Sequence, residues 1–85
     1  MNLLEFIPKG RRNRVTMEYL MFKCDIFDKD TFKQELRELK KNNIILFDEG
    51  YYIPEGKEVQ EFIDKCNLRI KETQELISLA KKLMN

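Results

Sequence analysis

From Lys57 to Met84 the sequence contains neither glycine nor proline. A stretch so free of breakers, with apolar residues at helical spacing throughout, is predicted to form one continuous helix. At a rise of about 1.5 Å per residue it would be about 42 Å long. That is longer than a body built from residues 1–56 should be across. Ile63, Ile70, Ile77 and Met84 recur every seven residues, with Cys66, Thr73 and Ala80 three positions after the first three. Phe62, Leu76 and Leu83 thicken the same stripe. A seven-residue repeat marks a coiled-coil seam, and the small residues between would let two helices approach closely. Two arrangements satisfy the pattern: pairing with a second copy to give a homodimer, or folding back so that the stripe becomes intramolecular core. The expected organisation is a domain over 1–56 followed by a long helix over 57–85 that serves dimerisation.

The segment ahead of that helix changes period twice. Asn2 to Ile7 reads as a short apolar helix, stopped by Pro8 and Gly10. A loop to Asn13 follows, then a possible very short strand at Arg14-Val15. Thr16 is a candidate N-cap for a helix from Met17 to about Asp25. Tyr19, Leu20, Met21 and Phe22 give that helix so much apolar surface that most of it is expected to be buried. Asp28-Lys29-Asp30-Thr31 is dense in cap residues and introduces a third helix running to about Lys41, with Phe32, Leu36 and Leu39 on one inward stripe. Two helices joined by a short connector have the shape of a helix-turn-helix. Ile44-Ile45-Leu46-Phe47 and Tyr51-Tyr52-Ile53 then flank Asp48-Glu49-Gly50, which is a hairpin signature. The expected class is α+β, mostly α: a winged helix with a long final helix. Adjacent on a strand, Tyr51 and Tyr52 should face opposite ways, one into the core and one outward.

Composition narrows the chemistry. At 85 residues, 42% of them hydrophobic and 11% aromatic, there is room for one thin core; domains this small bury only about 60% of their unfolded surface. There is no histidine, and Cys24 and Cys66 are far apart, so no spacing resembles a zinc site and no metal or other cofactor is expected. Both cysteines are expected as buried or half-buried thiols in a reducing cytoplasm; a bridge between two copies through Cys66 is the alternative. No apolar run is long enough for a membrane span, and the N-terminus lacks the basic-then-apolar order of a signal peptide. The only serine is Ser78, on the long helix. Asp28/Asp30 and Asp48/Glu49 sit where caps and turns want them. No catalytic constellation emerges, and the chain is not expected to be an enzyme.

Charge is distributed unevenly although the net is only +1. Lys9, Arg11, Arg12 and Arg14 form a basic cluster, opposed nearby in sequence only by Glu5. Such a loop suits phosphates or a narrow minor groove, or equally an acidic protein partner. On the third helix the side away from Phe32, Leu36 and Leu39 carries Asp30, Gln34, Arg37, Glu38 and Lys41, with Lys33 and Lys40 at one margin and Glu35 and Glu38 lining the other. In the major groove Gln34 and Arg37 would reach base edges while the lysines met phosphates. An ordinary solvated face explains the same residues.

Leu4-Glu5-Phe6-Ile7-Pro8-Lys9-Gly10-Arg11-Arg12-Asn13, then a helix-turn-helix, then Gly50-Tyr51-Tyr52-Ile53-Pro54, resembles small phage-encoded winged-helix proteins. Those begin with an apolar turn and Ile-Pro-x-Gly-x-x-Asn, and end with a Gly-Tyr-Tyr wing and a long helix. The resemblance spans nearly the whole chain. It implies a double-stranded-DNA-binding factor of phage or mobile-element replication or regulation, in the host-cell cytoplasm. The chain departs from the pattern at Arg14, where a small residue is usual, at Asp28 to Thr31, where relatives are arginine-rich, and at the acidic tip Asp48-Glu49. Those departures keep a second expectation alongside the first: a protein-interaction module that binds a host protein through the same scaffold.

Overall fold

Thr16 and Asp28 start the two short helices by the same device. Each side-chain oxygen accepts from the backbone N–H three residues on, Tyr19 at 3.1 Å and Thr31 at 2.8 Å. Each thereby satisfies one of the donors that the first helical turn leaves open. In the computed structural model, which describes residues 2–84, α1 spans Met17–Lys23 and α2 spans Lys29–Lys40. A hairpin of β1 (Leu46–Phe47) and β2 (Tyr51–Tyr52) follows, then α3 (Lys57–Lys82). The molecule is mostly helical, with an antiparallel two-stranded sheet pairing Leu46 with Tyr52 and Phe47 with Tyr51. The chain divides into two units at Glu55 and Gly56.

In the first unit, Asn2 to Ile7 is a 3-10 turn over Leu3–Phe6 rather than an α-helix. Pro8 stands too close behind it for α-type bonds to propagate. A second 3-10 turn, Arg11–Asn13, carries the basic cluster. The end of α1 is tighter than its apolar run suggested. Ile26 N–H donates to Met21 O (2.9 Å) and Asp25 N–H to Phe22 O (3.4 Å), with Asp25 at φ +54°. This is a Schellman closure, in which a left-handed residue reverses the chain and caps the last carbonyls. It buries Ile26 and throws Phe27 outward.

The core is built from Leu3, Ile7, Leu20, Ile26, Phe32, Leu36 and Ile45, with Phe32 and Leu20 wholly buried. Phe32 and Leu36 occupy the inward stripe of α2, and Leu39 packs half-buried beside them, as their spacing predicted. The expectation that most of α1 is buried is not met. Leu20 alone is buried there, whereas Tyr19 and Phe22 are exposed, Phe22 by 79%. A helix of seven residues offers the core one narrow face, and Leu20 takes it. Tyr52 is buried and Tyr51 half-buried, so the expected outward-facing tyrosine is not found: Tyr51 packs on the core. The Tyr51 ring meets Phe32 edge-on at 5.6 Å and Phe47 at 4.8 Å between centroids.

The second unit is α3. None of its residues is buried, and within it only Glu58, Phe62 and Cys66 are even half-buried.

Candidate functional site

The basic loop is pinned to the hairpin by its backbone. Gly10 N–H donates to Ile53 O and Ile53 N–H to Pro8 O, both at 2.8 Å. Val15 and Tyr51 exchange two bonds of 3.1 and 2.7 Å, so Val15 forms an antiparallel bridge with β2. Gly10 adopts φ +92°, a conformation that side chains resist, and Asn13 ties the turn by donating to Lys9 O at 2.9 Å. Gly50 is needed for a different reason: a Cβ there would lie 3.1 Å from Val15 O and 3.0 Å from Arg14 Cγ. The arginine stem therefore crosses directly over the glycine.

This geometry corrects the electrostatic reading of the loop. Arg11 and Arg14 are opposed by the hairpin tip, not by Glu5 alone. Arg11 Nε donates to the Tyr52 hydroxyl at 3.2 Å and stands 3.7 Å from Asp48 Oδ2. Its guanidinium also lies over the Tyr52 ring, 5.8 Å from the centroid. Arg14 donates to Arg11 O at 3.1 Å and reaches to 3.7 Å from Glu49 Oε2. Both pairs are partly solvated, so each contributes little to stability; their effect is to offset the two cations locally. Lys9 and Arg12 are exposed and form no ion pair among the described residues. The partners Tyr52, Asp48 and Glu49 were absent from the sequence reading. A signal for them existed: if Val15 pairs with Tyr51, the loop before the strand must pass the hairpin tip, where charges of opposite sign face each other.

The α2 residues fall into two groups. Lys33, Arg37 and Lys40 are exposed along one side, with no ion pair among the described residues. Lys41 is also exposed, but its ammonium is 3.0 Å from Glu38 Oε1. Gln34 opens instead on a cleft of about 550 Å³ lined by Asn2, Leu3, Thr31, Glu35, Glu38 and Leu39. The structure thus separates Gln34, beside two carboxylates, from the basic margin with which it was grouped.

Burial raises the Tyr51 phenol above its ordinary pKa, and Glu18 pushes the same way. Burial likewise raises the Cys24 thiol, so this half-buried cysteine stays protonated at neutral pH. Among the described residues no His, Cys, Asp or Glu group is arranged to hold a metal, and no helix is long and apolar enough to cross a membrane.

The residues expected to mediate dimerisation all lie on α3 or just beyond it. Ile63, Ile70, Thr73, Leu76, Ile77, Ala80, Leu83 and Met84 are exposed, and Phe62 and Cys66 half-buried. The aromatic side chains Tyr19, Phe22, Phe27 and Phe47, outside every expected site, are also exposed, Phe27 by 92%. Phe22 is on α1 and Phe27 on the connector to α2, and the apolar run of α1 had argued for burial of Phe22. No protein-family model, curated protein or solved structure matches the chain.

Proposed function

We propose that the protein is a DNA-binding winged-helix factor of the phage or mobile-element type, acting in replication or transcription regulation and dimeric through α3. The element order supports the reading: an N-terminal turn, Val15 bridged to β2, the α1–α2 pair, then the hairpin as wing. The observation that carries it is the row Lys33, Arg37 and Lys40 on α2, exposed and without ion pairs among the described residues. In such a row Lys33 and Lys40 lie ready for phosphates and Arg37 between them for base edges. Lys9 and Arg12 supply the phosphate contacts of the loop, whereas Arg11 and Arg14 answer first to the hairpin tip.

Fluorescence anisotropy of labelled duplex DNA, titrated at about 50 and 200 mM salt, tests this. Four phosphate contacts should cost about 10²-fold in affinity between the two salts. Arg12→Ala should weaken binding to all sequences alike, and Arg37→Ala should relax sequence preference. Absence of binding at the lower salt rejects the function.

One observation favours a second reading, that of a protein-interaction module. Phe22 and Phe27, exposed by 79% and 92%, are more apolar surface than a DNA-binding face uses. That reading expects a host protein to co-purify in stoichiometric amount, to survive high salt, and to be lost on Phe27→Ser.

A further inference from the structure

Resting on the self-association of α3, we infer that two copies of the chain pair antiparallel through this helix, so that each isoleucine of one seam faces a small residue of the other. Two rows run along α3. Ile63, Ile70, Ile77 and Met84 form one; Val59, Cys66, Thr73 and Ala80 form the second. Ile63, Ile70 and Ile77 are exposed by 43%, 55% and 49%, and Met84 by 84%. Size is therefore sorted by row, large in the first and small in the second after Val59.

A parallel pair stacks like on like. Its layers would alternate between two isoleucines and two residues the size of cysteine, threonine or alanine. The distance between two stiff helices cannot widen and narrow over successive turns, so overfilled layers would alternate with voids, and each is destabilising. An antiparallel pair instead sets one row against the other. If Ile70 meets Thr73 of the second copy, the same two-fold axis sets Ile63 against Ala80, Ile77 against Cys66 and Met84 against Val59. Every interior layer then holds one large and one small side chain.

Charge points the same way. Glu58, Glu61 and Asp64 crowd the start of α3, and Lys81 and Lys82 its end. An antiparallel pair sets the acidic start of one helix level with the basic end of the other, where a parallel pair would set like charges level. It also opposes the two helix dipoles, which a parallel pair would align.

Sedimentation equilibrium of the full chain and thiol cross-linking test the inference together. In a Cys24→Ser background, Cys66 is the remaining thiol. Mild oxidation of that protein should yield no covalent dimer, and adding Ile77→Cys should yield one, with peptides joined 66 to 77. Spin labels at Lys82→Cys, with both native cysteines replaced by serine, provide a readout that leaves the seam isoleucines intact. Because Lys82 is on the side of the helix away from the seam, the labels should lie about 35 Å or more apart in an antiparallel pair and within about 25 Å in a parallel one. A Cys66–Cys66 bond or the short label distance overturns the orientation and leaves the dimer standing. A monomer at every concentration overturns both.

Discussion

Asp25 shows how much a single position can hide. Its φ of +54° is the left-handed cap conformation that closes α1, and glycine would adopt it without a Cβ penalty. Asp25→Gly is expected to stabilise the protein by about 1 kcal/mol, a rise in melting temperature of about 4–8 °C for a domain of this size, read by circular dichroism. The same residue explains an error of the sequence reading. Helix ends are usually announced by glycine, and with aspartate there the apolar run through Phe22 looks like continuing, buried helix. The reversal at Asp25 instead exposes Phe27 and leaves Phe22 on the outer side of a helix with room for one buried residue. Arg11 and Arg14 are a similar case. Their charges are visible in sequence, but the partners that offset them come from a hairpin tip more than thirty positions on.

At the scale of elements, legibility followed local chemistry. The cap Thr16, the inward stripe of α2, the hairpin and the length of α3 all rest on neighbours within a few residues, and all were readable; the cap-rich stretch from Asp28 was seen, but not that the helix begins within it at Lys29. The short apolar helix at the N-terminus was readable too, but not its 3-10 type, because apolar composition does not distinguish a 3-10 turn from an α-helix. The cap of α2 has a pH signature. The Thr31 hydroxyl and backbone N–H donate to the Asp28 carboxylate and hold its pKa below the ordinary 3.8. A carboxylate with a depressed folded-state pKa contributes stability that is complete above its unfolded value and lost as pH falls through the folded one. The stability advantage of the native protein over Asp28→Asn, which keeps a capping oxygen without the charge, should therefore be constant near neutrality. It should shrink below about pH 4, as urea titrations at a series of pH values would show.

For the whole molecule, the charge pattern is a balance. The hairpin tip faces the basic loop with two acids, so the potential that duplex DNA would meet there is weaker than four basic residues in a row suggest. Asp48→Asn with Glu49→Gln should release Arg14 to phosphates, since Glu49 is its ion-pair partner. Duplex affinity at about 50 mM salt should rise several-fold, and the log–log salt slope should steepen by about one contact. An unchanged slope would mean that the loop does not face DNA. Between the two units stands Gly56, at φ +56° and ψ −127°. Reflected, those torsions become an ordinary extended conformation, so the junction is built for a residue of the opposite hand. A Cβ of the natural hand would touch nothing within 4 Å, so any loss from Gly56→Ala is a cost of chirality alone. In a chain made by chemical ligation, D-alanine at this position should be at home in the backbone and L-alanine should not. The difference between their melting temperatures would measure the handedness of one peptide unit.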